Sequence, residues 1–235
     1  MSPDVPFRHF HDQLTALNRR LLAMSEKAES LIALSVDALL SQDAGKAEAV
    51  IDADRELDSM ELEIEAAALG LLALQQPMAR DLRFIVATIK VTSDLERVGD
   101  HAVNIAQAAL RLISQRTNIT PDPEIADMAR RARAMLSDAI DAFLRADGAL
   151  GRDVCARDDQ IDALDESVFR ILLTHMMADP RTINPSLEYL LVSRNLERVA
   201  DLATNISEDA VFLAEGKNIK HGGGNEARAG STLSS

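Results

Sequence analysis

Two short stretches of the chain place a glutamate, an aspartate and an asparagine at intervals of four residues. At about 100° per residue, this spacing puts all three side chains on one stripe of an α-helix. Carboxylate and amide oxygens are ligands of hard cations, and an all-oxygen set suits iron, manganese, magnesium or calcium better than structural zinc. The two candidate metal sites are Glu96, Asp100 and Asn104, and Glu197, Asp201 and Asn205.

These residues belong to a longer segment that occurs twice. The first copy runs Asp94-Leu-Glu-Arg-Val-Gly-Asp-His-Ala-Val-Asn-Ile-Ala106, and the second runs Asn195-Leu-Glu-Arg-Val-Ala-Asp-Leu-Ala-Thr-Asn-Ile-Ser207. An internal repeat of this length indicates a molecule built from two copies of one unit. Like charges one helical turn apart are mildly destabilising, so something must offset the repulsion in both copies.

An acidic helix precedes each copy and offers further oxygen ligands. Asp58 in the first half aligns with Asp162 in the second at an offset of 104 residues, and both are candidate ligands. The sequence does not fix how these helices are rotated against the motif helices. Other carboxylates on them are Asp54, Glu61, Glu65, Asp158 and Asp165.

The alternative interpretation of the stripe is a solvated, charged helix face. Arg97 and Arg198 lie beside the acidic residues and could neutralise them. No histidine is duplicated, because Leu202 replaces His101, and the Glu-x-x-His pairs of ferritin-like di-iron bundles are missing. The stripe also lies opposite the apolar seam, which disfavours redox catalysis. The chain has no Gly-rich phosphate loop, Ser-His-Asp order or Cys-x-x-Cys pair.

Six helices must position these residues, and we expect them at 8–41, 46–75, 79–116, 123–146, 151–177 and 185–216. Apolar residues recur at spacings of three and four along the third helix and its twin, which is typical of helices packed nearly parallel in a bundle. We therefore predict an all-α fold of two tandem antiparallel three-helix bundles related by the internal repeat. The predicted divisions are 1–118, 119–217 and a flexible Gly/Ser-rich tail at 218–235.

The composition restricts the partners and the compartment. With 38 Asp and Glu against 25 Lys and Arg, the net charge of −13 argues against nucleic acid, whose phosphates require a basic face. A single cysteine excludes an internal disulfide, and no basic-then-apolar leader follows Met1. The longest apolar run, 66–74, is too short to span a bilayer. We therefore expect a cytoplasmic protein.

Two segments carry a likeness to a known family. The first is Leu71-Leu-Ala-Leu-Gln-Gln-Pro-Met-Ala-Arg-Asp-Leu-Arg-Phe-Ile85 with the motif copy that follows it, and the second runs from the other copy to Glu215-Gly-Lys-Asn-Ile-Lys-His221. Both resemble the PhoU family of phosphate-signalling regulators, and the likeness covers nearly all of residues 8–221. The second half departs from the family pattern more than the first. It lacks the Gln-Gln-Pro turn, and Asn195, Ala200 and Leu202 replace Asp94, Gly99 and His101.

The resemblance implies a non-enzymatic cytoplasmic accessory protein, usually a homodimer, with iron or zinc clusters at Glu/Asp-x-x-x-Asp motifs and no organic cofactor. It implies coupling of the ATPase subunit of a phosphate ABC transporter to a sensor histidine kinase, with peripheral membrane association through these partners. In ample phosphate such a protein keeps the kinase's response regulator unphosphorylated and restrains uptake. The competing interpretations are a metal-dependent enzyme or metal-storage bundle, and a phosphorelay bundle that uses His101 or His175.

Overall fold

The computed structural model of the chain describes residues 5–75, 77–115, 123–216 and 219. Within these ranges the chain forms six long helices: α1 Val5–Ser41, α2 Ala44–Gln75, α3 Ala79–Gln115, α4 Pro123–Arg145, α5 Gly148–Ala178 and α6 Ile183–Glu215. A 3₁₀ turn at Pro180–Thr182 leads into α6. The predicted all-α fold is confirmed, and the predicted helix ends lie within three residues of those observed.

The α1–α2 and α4–α5 connections are built in the same way. Gln42 and Ala146 take left-handed backbone conformations, with φ of 53° and 50°. The next residues, Asp43 and Asp147, donate their backbone N–H groups to carbonyls five residues earlier, at 3.0 and 2.8 Å, which ends the preceding helix. Their carboxylates accept N–H groups of the following helix at 2.9–3.2 Å and start it. Neither left-handed position is a glycine, so the residue type does not mark the turn. The predicted start of α5, at Gly151, lies three residues after the observed start at Gly148.

Each half of the chain is an antiparallel three-helix bundle, made by α1 to α3 and by α4 to α6. The apolar seam predicted for the third helix of each half is buried in both repeats. A fully buried Val, Leu or Ile side chain contributes about 1.5–3 kcal/mol relative to an exposed one. The seam residues are Val91, Leu95, Val98, Ala102 and Ile105, and Val192, Leu196, Val199, Ala203 and Ile206.

The two bundles pack together through α3 and α6, which cross antiparallel. Lys90 Nζ lies 3.9 Å from Asp209 Oδ1 near one end of the crossing, and Arg111 Nε lies 2.9 Å from Glu188 Oε2 near the other. Equivalent positions in α3 and α6 differ by 101 residues. The two ion pairs are therefore related by a pseudo-twofold axis that passes next to Val98 and Val199, the buried valines of the two motif copies. The two copies of the duplicated motif therefore meet at the centre of the molecule.

The boundary predicted at residues 118 and 119 lies outside the described residues, as does the predicted tail at 218–235 apart from Ile219. That division of the chain therefore stays a prediction. Among the helices that the structure describes, none has both the length and the apolar character needed to cross a membrane.

Candidate metal centre

A glycine in α3 lets α2 come close enough for the acidic side chains of the two helices to meet. A β-carbon at Gly99 would overlap Leu57 Cδ2 and lie 2.7 Å from Asp54 Oδ1. Burial, and then repulsion from neighbouring carboxylates of α2 and α3, raise the pKa values of Asp54 and Glu96. The first acidic cluster consists of Asp54, Asp58, Glu61, Glu65, Glu96 and Asp100.

Burial and mutual repulsion favour the protonated form of several carboxyls in this cluster. Burial, and then the negative charge of Asp100 and other cluster members, raise the pKa of Glu96 to about 7. Burial and two acidic neighbours raise the pKa of Asp54 to about 6. Burial and nearby carboxylates also raise the pKa of Glu61, against a hydrogen bond with Ser93 that lowers it. Among the described residues, no basic side chain contributes to these three shifts.

The second acidic cluster lies between α5 and α6 and consists of Asp158, Asp162, Asp165, Glu197 and Asp201. Burial, and then repulsion from neighbouring carboxylates, raise the pKa of Asp158 to about 6. Asp165 is buried and has two partners, because Arg194 Nη1 lies 2.9 Å from its Oδ2 and Ser193 Oγ donates to its Oδ1 at 2.6 Å. A guanidinium is thus built into this cluster.

A second guanidinium lies against the same cluster. Arg198 Nη1 is 3.1 Å from Asp201 Oδ2, and its Nε is 3.6 Å from Glu197 Oε2. The equivalent residue of the first repeat, Arg97, instead lies 3.5 Å from Asp94, which is outside the first acidic cluster. The interpretation of the stripe as a neutralised charged face therefore describes the second cluster better than the first.

The predicted site residues differ in exposure. In the first repeat α2 partly covers the stripe, so Glu96 is half-buried while Asp100 and Asn104 are exposed. The candidate on α2, Asp58, and the candidate on α5, Asp162, are both exposed. The remaining candidates, Glu197, Asp201 and Asn205, are half-buried.

Neither cluster is a finished coordination sphere. Within the described residues, no three Asp, Glu, His or Cys side chains are already arranged to hold one metal ion. A cation would have to draw the carboxylates together from their present positions. Metal ligation by the eight predicted residues therefore stays a prediction.

The first acidic cluster nevertheless fits a hard cation by its chemistry. All six members offer carboxylate oxygens, which are the ligands that such ions prefer. Among the described residues no basic side chain contributes to the pKa shifts of Asp54 and Glu96, and a bound cation would convert the repulsion between the carboxylates into attraction. Neither cluster contains histidine or cysteine, so zinc would find only its less common oxygen ligands there.

Two features of the sites escaped the sequence reasoning. Arg194 stands just outside the repeated motif, at the position of Ser93 in the first repeat, so comparing the motif alone did not reveal it. The exchange of Gly99 for Ala200 was visible, but its role in bringing α2 close to α3 required the packed helices. Comparing the flanks of the two copies would have found the arginine.

Fold and sites together define a tandem helical-bundle protein with one acidic cluster in each repeat. The family model described as the PhoU domain matches residues 21–109 and again residues 125–210. The chain belongs to the PhoU family, and the resemblance seen in its sequence is confirmed.

Curated relatives are similar over nearly their whole length. A phosphate-specific transport system accessory protein PhoU homolog of Clostridium acetobutylicum is 38% identical over 211 residues, which are 89% of this chain and 96% of the relative. A protein of the same name from Caulobacter vibrioides is 38% identical over 212 residues, or 90% of this chain and 92% of the relative. These relatives are named as accessory proteins and not as enzymes, which confirms the prediction of a non-enzymatic protein.

Solved structures show the same architecture. The crystal structure of PhoU from Pseudomonas aeruginosa matches with a TM-score of 0.85 at 34% identity, covering 88% of this chain and 100% of that one. The phosphate transport system regulatory protein PhoU from Streptococcus pneumoniae matches with a TM-score of 0.82 at 30% identity, covering 89% and 98%. The tandem three-helix-bundle fold is therefore shared with experimentally determined members of the family.

Proposed function

We propose that this chain is a cytoplasmic negative regulator of phosphate uptake and of phosphate-starvation signalling. It couples the ATPase subunit of a phosphate ABC transporter to a sensor histidine kinase, and reaches the membrane only through these partners. The observation that carries the proposal is the near full-length match to relatives named as phosphate-specific transport system accessory proteins.

Two exposed apolar surfaces support a protein with more than one protein partner. Grouped large apolar side chains on a surface are typical of contact sites. Because α3 and α6 cross antiparallel, the α2–α3 and α5–α6 turns that carry these surfaces lie at opposite ends of the molecule. The first surface is Leu69, Leu74, Met78, Leu82 and Val86, and the second is Phe169, Leu173, Met177, Ile183, Leu187 and Leu191. Transporter, kinase and a second copy of the chain in a homodimer are the proposed occupants.

Regulation by such contacts requires a difference in affinity. A bound protein shifts a partner between two states only if it binds one of them better. In ample phosphate this chain would therefore prefer the partner state in which uptake and kinase signalling are restrained. The net charge of −13 supports a basic partner face, and such an association weakens as salt is added.

The proposal includes metal at the acidic clusters, as iron or zinc. Glu96, Asp100 and Asp58 would supply carboxylate oxygens in the first cluster, and Glu197, Asp201 and Asp162 in the second. A bound cation would neutralise the repulsion between α2 and α3, and would thereby stiffen the bundle that presents the first apolar surface. Asn104 and Asn205 would add amide oxygens one helical turn further along.

A deletion strain tests the regulatory proposal. Without this protein, and without a second copy in the genome, a phosphate-starvation reporter should stay active in ample phosphate, and the wild-type chain should restore repression. Leu187→Asp places a charge on the second apolar surface and should restore repression poorly. Leu22→Asp changes an exposed leucine of α1 that lies outside both apolar surfaces, and it should restore repression fully. Normal repression in the deletion strain would contradict the proposal.

Partner capture tests the molecular part. Tagged full-length protein should retain a transporter ATPase subunit and a sensor kinase from cells grown in ample phosphate, and less of both at high salt. Turnover assays with phosphate esters and oxidants test the competing interpretation as a metal-dependent enzyme. Robust metal-dependent turnover that Glu96→Ala abolishes would contradict the purely regulatory assignment.

A further inference from the structure

A cavity of about 250 Å³ lies between α3 and α6, where the two motif copies meet. It is lined by Arg97, His101, Arg198, Asp201, Leu202, Thr204 and Asn205. The two arginines occupy the same position in the two copies, so the pseudo-twofold brings them to one cavity. The volume is several times the roughly 30 Å³ that one water occupies in the liquid, and it therefore admits a small polar ligand.

The cavity is rich in hydrogen-bond donors. Each guanidinium carries five N–H groups, and the acidic contacts of Arg97 and Arg198 engage only some of them. Thr204 adds a hydroxyl whose buried oxygen makes no hydrogen bond among the described residues. A buried hydroxyl without a partner is costly, so this group indicates a ligand or water that completes it.

The cavity also offers acceptors. Asn195 Nδ2 donates to the Leu191 carbonyl at 2.7 Å, which leaves its Oδ1 to accept from His101 Nδ1 at 2.9 Å. A neutral His101 therefore carries its proton on Nδ1 and presents Nε2 as an acceptor. The Asp201 carboxylate is a second acceptor on the wall. Both histidine and aspartate can accept a hydrogen bond from a ligand hydroxyl.

We propose that this cavity binds inorganic phosphate in its protonated forms. Arginine forks match the tetrahedral oxyanion, and Thr204 and Asn205 supply neutral donors. A phosphate O–H can donate to Asp201 or His101, whereas fully ionised sulfate has no proton to give and would be repelled by the aspartate. The chain thus has a direct phosphate site of its own, one per protein, which is separate from the partner contacts proposed above but shares Asp201 and Asn205 with the second candidate metal site.

Titration calorimetry on full-length, chelator-treated protein at low salt tests the site. Inorganic phosphate should bind with one site per chain, and sulfate at equal ionic strength should bind at least about tenfold more weakly. Arg97→Gln and Arg198→Gln should each weaken phosphate binding by roughly tenfold, the usual effect of losing a charge-assisted hydrogen bond. Arg130→Gln removes an exposed arginine charge from α4, outside the cavity, and should leave the affinity unchanged.

Three outcomes would overturn the inference. Equal affinity for sulfate and phosphate would show that Asp201 and His101 do not accept a hydrogen bond from the ligand. Equal phosphate affinity in the Arg97, Arg198 and Arg130 variants would show that the anion binds outside this cavity. Tighter binding of a phosphate monoester than of inorganic phosphate would assign the cavity to a phosphorylated partner side chain. Circular dichroism checks that each variant is folded. Thr204→Val removes the proposed donor hydroxyl without changing the charge, and it should also weaken phosphate binding. Failure here would leave the deletion phenotype intact, so the two proposals fail separately.

Discussion

Arg194 forms an ion pair with Asp165 across the α5–α6 interface, with 2.9 Å between Nη1 and Oδ2. At the equivalent place in the first repeat, Ser93 stands where Arg194 does and Glu61 stands where Asp165 does. A guanidinium is permanently positive, whereas a hydroxyl carries no charge. The second acidic cluster therefore contains a cation of its own, and the first contains none among the described residues.

The first prediction concerns which cluster holds metal more tightly. We expect Glu96→Ala with Asp100→Ala to remove most of the iron or zinc found by elemental analysis, because these changes take away both carboxylates that α3 contributes to the uncompensated cluster. Glu197→Ala with Asp201→Ala should remove less, since arginines already offset part of that charge. Unchanged metal content in the Glu96 and Asp100 variant would show that the first cluster is only a charged surface.

The second prediction inverts the comparison. Arg194→Ser gives the second repeat the residue that the first repeat has, and should raise the metal affinity of the second cluster in a competition assay with a chelating dye. Arg145→Ser is the matched control, because Arg145 is an exposed arginine of α4 paired with Asp141, and neither residue belongs to the cluster. Equal affinities in the two variants would contradict a cation-like role for Arg194.

The third prediction is a pH dependence of the metal-free protein. Glu96, Asp54 and Asp158 have raised pKa values of about 7, 6 and 6, so the folded protein binds more protons than the unfolded chain in this range. This contribution to stability is complete below the unfolded values of 4.5 and 3.8, and is lost as pH rises through the folded values. Asp127 and Asp179 have lowered pKa values and act only in more acidic solution.

Urea denaturation with a chelator present should therefore give a smaller free energy of unfolding at about pH 8 than at about pH 5. Glu96→Gln combined with Asp54→Asn should flatten this slope, since amides do not titrate. Added metal should stabilise the protein more at the higher pH, because ligands must be deprotonated. A free energy of unfolding that rises with pH in the chelated wild type would be the wrong sign.

Much of the fold could be predicted because it depends on local periodicity. Val91, Leu95 and Val98 follow helical spacing, and burial of this seam and its twin sets the packing of both bundles. Helix ends that depend on an unusual backbone were less visible, since Gln42 and Ala146 are not the glycines that mark left-handed ends. The sites were harder still, because compensation of charge depends on which helices face one another.

The fourth prediction separates two glycines that the sequence does not distinguish. A β-carbon at Gly151 would lie 2.8 Å from the Ser207 carbonyl oxygen and 3.1 Å from Val211 Cγ2, and backbone cannot yield easily. We expect Gly151→Ala to cost about 1 kcal/mol, as overpacking outweighs the better helix propensity of alanine. At Gly70 an added β-carbon meets nothing within 4 Å, so Gly70→Ala should stabilise by about 0.5–1 kcal/mol. Urea denaturation checks both, and equal effects would mean that α5 and α6 can move apart freely.

The fifth prediction links the close approach of α2 and α3 to the chemistry of the first acidic cluster. Gly99→Ala gives the first repeat the residue of the second, and the new methyl group would displace the ends of the Leu57 and Asp54 side chains. Both contacts are with side-chain ends, so the protein should stay folded, but the buried Leu57 would have to repack and Asp54 would move away from the other carboxylates. We expect weaker metal binding to the first cluster and a pKa of Asp54 closer to its ordinary value, because Asp54 would lose burial and the repulsion of Asp58 and Asp100; dye competition and NMR titration of the chelated protein measure the two. Gly70→Ala should change neither quantity, because residue 70 makes no such approach. If Gly99→Ala left metal affinity and titration as in the wild type, the spacing between α2 and α3 would have no part in assembling the cluster.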